Sequence, residues 1–514
     1  MAHENSRTLL TTIKKLKVKN VRYRRKCRNN SSTPLKLQLV RYLQSVLHSS
    51  TTHGLPYIVN NRLHYLEKIF WIVNIIFCIV IMYGLLTLQY LRFIAAPTVM
   101  SVERNYFDWN ISYPAITLCP LYRADKVKFE KIKDTSNITK HFVWTIMQSA
   151  LDTLDFMDLN HPNELQLPEP KNYAKVAADM FRIFHKDMLA SKANRTISID
   201  ISMNEIGICH VINSNVAAFD EPYSWNADFA TKNYVKKNME LSIFEVDLFT
   251  LITDYAPVYK VYIHGPDEVP LTGSSFNYDV EGFMSFGLSV RSTRISDELR
   301  YQSLRLRKCR FTHEPISERY PVYSYNHCIL ECRIKMILRL CGCVPHFYKP
   351  LDNERVCYIS ELSCVLKYKT EITTLKTSEQ TYKQFASTKD LPKTSRDCGC
   401  LNDCEFDTYY KDNEEFVPQK GLNKLKIKIT SFPKVRFVRD IIFSFYDILL
   451  RSGGVMNLCI GSSIISLVEL LVVIIKPLFF IPALIATSAV DGYLDSYKEM
   501  NKTGKMLVKY SRFI

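Results

Sequence analysis

Residues 69–88 read IFWIVNIIFCIVIMYGLLTL, twenty consecutive residues without a charge. At roughly 1.5 Å per residue, a helix of this length crosses a hydrocarbon core of roughly 30 Å, so the stretch is expected to span a membrane. No shorter apolar segment with a small-residue cleavage site precedes it, so it is expected to act as an uncleaved anchor that keeps the N-terminus inside. A second apolar stretch lies at 452–475, where Glu469 is the sole charge, followed by Lys476, Pro477 and a further apolar run to Val490. Pro477 and Pro482 argue against one straight helix there.

Charge orients the two segments. The chain carries a formal charge of +16. Residues 1–60 hold twelve Lys or Arg against Glu4 alone (+11), and residues 476–514 hold six against Asp491, Asp495 and Glu499 (+3). Basic flanks at both ends of a two-span chain are expected on the cytoplasmic side, and apolar spans beside both tails argue against a nucleic-acid partner. The organisation expected is a cytoplasmic tail at 1–68, a first span at 69–88, an extracellular domain at 89–446, a second span at 447–476, and its inner end with a second cytoplasmic tail at 477–514.

This topology sorts the fifteen cysteines. Cys27 falls inside, and Cys78 and Cys459 fall in spans. Cys119, Cys209, Cys309, Cys328, Cys332, Cys341, Cys343, Cys357, Cys364, Cys398, Cys400 and Cys404 all lie between the spans, an even number in an oxidising compartment. The CGC triplets at 341–343 and 398–400 have too few residues between their thiols for the usual zinc spacing, so no metal is expected. NHCILECRIKMILRL (326–340) reads as a helix, with Cys328 and Cys332 on one face roughly 6 Å apart. In an extended segment Cys398 and Cys400 have a similar spacing, roughly 6.6 Å. A doubly stapled helix and strand follows, with its orientation open.

Strands are expected at KLKIKIT (424–430), VYKVYI (258–263) and FMSFGLSV (283–290), helices around 142–157 and 172–190, and a long loop at 365–397. The fold class is therefore an α+β membrane protein, with two transmembrane helices flanking a large disulfide-rich mixed α/β extracellular domain. Asn110, Asn137 and Asn194 begin N-x-S/T sequons on its outer side. Phosphate-loop, nucleophile-elbow and zinc-protease signatures are missing, which argues against an enzyme, and no cofactor is implied.

In the second span Ser462, Ser466 and Glu469 recur at i, i+4 and i+7, one stripe of a helix. A carboxylate inside a membrane should face a water-filled pore or a partner helix rather than lipid. The stripe alone does not choose between these, because Gly461, Ser462 and Ser463 also suit close helix packing. Two spans cannot enclose a pore, so conduction would require an oligomer.

Seven segments in order carry a resemblance: SSTTHGLPYI (49–58), YPAITLC (113–119), GICHVIN (207–213), IHGPDEVP (263–270), YSYNHCILECRIKMILRLCGCVP (323–345), CGCLNDC (398–404) and GGVMNLCIGSSIISLVE (453–469). Together they resemble the degenerin and epithelial sodium channel family, with the insect pickpocket branch the nearest fit. The resemblance implies a homo- or heterotrimer in the plasma membrane that conducts sodium ions and is blocked by amiloride. It assigns Gly461, Ser462 and Ser463 to a selectivity tract, where carbonyls and hydroxyls replace a cation's hydration shell. It also assigns Ser466, Glu469, Arg451 and Asn457 to the pore lining, and His53, Gly54, Leu450, Gly453 and Gly454 to gating. The disulfides it implies are Cys119 with Cys209, Cys309 with Cys404, Cys328 with Cys400, Cys332 with Cys398, Cys341 with Cys364, and Cys343 with Cys357.

The chain departs from the family where an acidic or small polar residue and a small residue usually precede the Gly-Gly pair. Arg451 and Leu450 stand there, and Asn457 replaces a common Gly. Three arginines at an outer mouth would repel cations unless paired, whereas a bulky residue at 450 favours opening. A poorly conducting auxiliary subunit and a membrane-anchored extracellular ligand receptor are the competing functions.

Overall fold

The computed structural model describes residues 52–475 apart from 96, 133–138, 160–166, 192–196, 226–233, 235–238, 246–247, 386–390, 443 and five positions between 464 and 474, together with 44, 47, 48 and 50. Cys27, the sequons at Asn137 and Asn194, and the tail from 476 onward lie outside the described residues. The chain forms two units. One comprises residues 97–442, and the other the segments up to 96 and from 443.

In the second of these units the first apolar stretch forms one helix, Tyr65–Ala95, longer at both ends than residues 69–88. Its most apolar window has a mean hydropathy of 2.6, and among the described residues it is the one helix long and apolar enough to cross a membrane. None of its side chains is buried within the chain. Phe70, Phe77, Val80 and Leu88 stand exposed, as a helix solvated by lipid tails requires.

The 97–442 unit is built on the strand Gly282–Ile295. It pairs antiparallel with Phe406–Pro418 and parallel with Asn423–Ser431, then parallel with Arg436–Ile441. Strict alternation in Asn423–Ser431 buries Leu425, Ile427 and Ile429 and turns Lys424, Lys426 and Lys428 outward. Thr98–Glu103 closes one edge against Arg436–Ile441, with Thr98 opposite Ile441. The Ile442 amide then donates to the Pro97 carbonyl (2.9 Å), so the chain enters and leaves this unit side by side. A second sheet is antiparallel throughout, in the order Ser275–Tyr278, Tyr259–His264, Ala115–Pro120, Gly207–Ile212, Ile199–Asn204. Ile116, Leu118, Val261, Phe286, Leu425 and Ile427 belong to one core cluster shared by both sheets.

The largest cluster surrounds the helix Tyr325–Cys341, where Leu330, Ile334 and Ile337 meet Phe142, Tyr173 and Phe347. The Ser324 hydroxyl caps this helix by accepting the His327 amide (3.2 Å). Cys328–Cys400, Cys332–Cys398 and Cys341–Cys364 start on this helix and Cys343–Cys357 just after it, while Cys119–Cys209 and Cys309–Cys404 lie in separate small clusters. The mixed α/β, disulfide-rich class expected from sequence holds for this unit.

Four local expectations need correction. Cys398 ends a 3₁₀ turn, Ser395–Cys398, rather than sitting in a strand, because Thr394 and Asp397 form a reciprocal cap there. The helix expected at 142–157 stops at Gln148, where Ser149 turns extended, although the apolar pattern runs on through Leu151 and Leu154. The one expected at 172–190 is Tyr173–Met180, ended by extended Phe181 and followed by the short strand Leu189–Ser191. The segment 365–397 is not one loop. It holds the helices Leu362–Lys367, Lys369–Thr374 and Glu379–Gln384, anchored by Cys364 and buried Ile372.

Beside the long helix Arg319 has a fully buried side chain, held by Glu331 (2.9 Å) and Glu354 (2.8 Å). Removing the cation leaves Glu354 without its cationic partner and Glu331 with Lys335 alone at 3.6 Å, both in a low-dielectric site. Arg319→Met is expected to destabilise the protein by about 3–5 kcal/mol, read as a lowered thermal transition of the purified full chain; an unchanged transition would rule out this account of the cluster.

Candidate functional site

The helix Phe445–Ile460 starts with a capping box, in which the Ser444 hydroxyl accepts the Asp447 amide (3.1 Å) and Asp447 accepts the Ser444 amide (3.0 Å). It ends at Gly461, whose φ of +67° is left-handed and whose amide donates to the Asn457 carbonyl (2.8 Å). Residues 461–463 are non-helical, and helical backbone resumes at the described positions from 465. Ser463 acts as the new cap, accepting the Ser466 amide through its hydroxyl (3.2 Å). The segment is therefore two helical pieces joined through a Gly-Ser-Ser break.

The break corrects the polar stripe. Ser462 lies in the non-helical tract and not on a helix face with Ser466 and Glu469. The left-handed Gly461 interrupts the ladder that i, i+4, i+7 spacing assumes. Only Ser466 and Glu469, three apart in the second piece, keep helical phase, and Glu469 is exposed. Ser462 is buried, and its hydroxyl has no hydrogen-bond partner among the described residues.

The His53-Gly54 pair lies against this break. The His53 amide donates to the Ile460 carbonyl (3.1 Å), one of the acceptors a helix end leaves open. A Cβ on Gly461 would lie 2.9 Å from two carbons of the His53 ring. Gly54 has a φ of +89°, and a Cβ there would press to 2.8 Å from Ile75 Cδ1. The turn leads into the helix Leu55–Val59, opened by Pro56, and Tyr57 stacks on Trp71 of the long apolar helix with ring centroids 4.6 Å apart. His53, Gly54, Gly461, Ser462 and Ser463 are thus brought together from opposite ends of the sequence.

Of the remaining predicted residues, Leu450, Arg451, Gly454 and Asn457 are exposed in the single chain and Gly453 is half-buried. Leu450 is 73% exposed, and Arg451 and Asn457 are exposed on the same helix. A Cβ at Gly453 or Gly454 would meet nothing within 4 Å. Each glycine costs a helix roughly 1 kcal/mol relative to alanine, and among the described residues no close contact accounts for that cost.

In the 97–442 unit sequence reading missed a cavity of about 290 Å³ lined by Glu240, Asp267, Glu268, Asp403, Glu405 and Asp407. The Gly-Pro-Asp-Glu turn, the segment after Cys400 and a two-stranded ribbon converge there, and only IHGPDEVP and CGCLNDC hinted at it. Asp407 pairs with Arg294 (2.8 Å), and the Asn110 amide nitrogen donates to Glu240 (3.4 Å), which places the sequon asparagine in the cavity wall. Burial, reinforced by Glu268 and Asp267, pushes the Asp403 carboxyl up to about 7 against the lowering effect of the Tyr325 amide. The folded state therefore binds this proton more tightly than the unfolded chain between about pH 4 and 7, and Asp403's contribution to stability falls as pH rises through that window. Asp403→Asn is expected to raise the thermal transition at pH 8 by the equivalent of about 1–2 kcal/mol, with the gain vanishing near pH 4; a pH-independent difference would contradict this assignment.

Comparison with known proteins places these features in context. A family model described as amiloride-sensitive sodium channel matches residues 46–473. Pickpocket protein 28 of Drosophila melanogaster is 23% identical over 500 residues, covering 86% of this chain and 78% of that protein. Sodium channel protein Nach of the same organism is 21% identical over 488 residues, with coverage of 85% and 88%. Acid-sensing ion channel 4-B of Danio rerio is 23% identical over 399 residues, with coverage of 70% and 63%.

Proposed function

The chain belongs to the amiloride-sensitive sodium channel family, a family of ion channels and not enzymes, and from that premise we propose that it is one subunit of a trimeric, sodium-selective, amiloride-blocked channel. Its two spans would cross the plasma membrane with both termini in the cytoplasm and the 97–442 unit outside. The observation that carries this reading is the helix break at Gly461–Ser463, backed by His53.

An interrupted helix at membrane depth leaves backbone groups that lipid cannot satisfy, and such a break is tolerated where it lines a water-filled path or is buried in protein. Carbonyls of the non-helical tract and the unpartnered Ser462 hydroxyl are the oxygen ligands that a partly dehydrated cation requires. The His53 amide ties the turn before the first span to the last carbonyl before the tract. A displacement of that turn would therefore move the tract, which gives His53 and Gly54 a gating role. The open glycines at 453 and 454 fit close approach by another copy.

Arg451 favours a second reading, a poorly conducting subunit that works beside related chains. Recording from cells expressing this chain alone, with sodium exchanged for a large impermeant cation and amiloride applied, tests both. A sodium-dependent, blockable current is expected, small in the native chain and larger for Arg451→Asp. A full-sized current unchanged by that substitution would remove the argument from mouth charge, and no current from either at normal surface density would favour the auxiliary subunit.

A further inference from the structure

A groove of about 670 Å³ opens in the 97–442 unit between the segment 181–189 and the strands Ile199–Asn204 and Gly207–Ile212. Phe184, Leu189 and Ile199 form part of its wall, half-buried because their backs pack on the core cluster shared by the two sheets. Ile201 backs onto the cluster around the long helix. The groove thus runs along the seam between two cores, where neither supplies the side chains to close it.

Its charged groups are mostly cationic. Lys128, Arg182 and Lys186 line it, and among the described residues none of the three forms an ion pair with a carboxylate. Lys128 donates to the Asp179 carbonyl (2.7 Å) and keeps further N–H groups to offer. Arg182 lies over the Tyr255 ring (5.3 Å), which holds its guanidinium in place without neutralising it. The one carboxylate in the lining is Asp200, and its Oδ2 is covered by protein without a donor among the described residues.

From this arrangement we infer that the groove binds a monoanionic amphiphile, an apolar body carrying one carboxylate and a distal hydroxyl. Unpaired cations beside an apolar wall select an anionic head on a hydrophobic body, and the volume is that of a pocket for a small organic ligand. Asp200 sets the charge count. Its half-buried carboxylate repels a second negative group and accepts a hydroxyl through the part that faces the groove.

The test is saturation binding of radiolabelled ω-hydroxylaurate to the full chain in nanodiscs, corrected with empty nanodiscs, so the readout does not depend on current. Saturable binding is expected, and Arg182→Gln with Lys186→Gln should weaken it about tenfold or more, the loss of a charge-assisted contact. The matching dicarboxylate should bind about tenfold more weakly, and Asp200→Asn should close that gap. Lys186→Gln alone, at an exposed position, serves if the double variant loses its thermal transition. Equal binding of laurylamine, undiminished binding by the variants, or no saturable binding overturns the inference, the last being what a neighbouring copy seated over the groove would give.

Discussion

The 97–442 unit depends on one strand pairing. Thr98–Glu103 lies antiparallel to Arg436–Ile441, and the latter also joins the central strand Gly282–Ile295. A chain with apolar segments before and after a large domain must bring that domain's two ends together, and this ladder does so with six residue pairs in register. Loop-closure entropy rises slowly with length, so the long intervening chain adds little to the cost of the pairing once local sheets and disulfides have formed. Glu103 and Arg436 reinforce the last pair of the ladder with a side-chain contact of 2.6 Å.

The elements legible in the sequence are those whose pattern and packing agree. Asn423–Ser431 alternates Lys with Leu or Ile because one face meets the core, and Tyr325–Cys341 shows a serine cap before an apolar run. The misread stretches are those where burial continues after the backbone changes conformation. Leu151 and Leu154 are buried although the helix ended at Gln148, so apolar spacing alone overextends it. The opposite error occurred at 365–397, where Lys, Thr and Ser suggest a loop. Cys364 and Ile372 supply the tertiary anchors that short helices need, and a single local window holds too few such residues to reveal them.

The candidate site was legible as a composition and not as a geometry. Gly, Ser, Ser and Glu within one apolar stretch announced an unusual segment, but the i, i+4, i+7 reading assumed an unbroken helix. The left-handed Gly461 and the Ser463 cap could have been suspected from cap chemistry, since a glycine followed two residues later by a serine and then an apolar run is also a helix stop and restart. The bond from His53 to Ile460 joins residues from opposite ends of the sequence, and no local pattern encodes it. The acidic cavity was missed for a related reason, because its carboxylates come from three segments far apart in sequence: Glu240, the Asp267-Glu268 pair, and Asp403, Glu405 and Asp407.

The charge at the start of the second apolar segment also differs from what Arg451 alone suggests. Asp447 stands one helical turn earlier, fixed by its bonds to Ser444, and it interacts electrostatically with Arg451. An acid four residues before a base is the favourable order for a helical ion pair, and together the two residues carry no net charge. An exposed pair is screened and contributes little to stability, yet its effect on the local field does not require a strong bond. The cation stays on the side nearer Gly461 and the carboxylate one turn further from it, so the field along this helix is that of an oriented dipole. A dipole's field decays faster with distance than that of a lone charge, so whatever obstacle Arg451 poses to a passing cation is confined to its immediate turn.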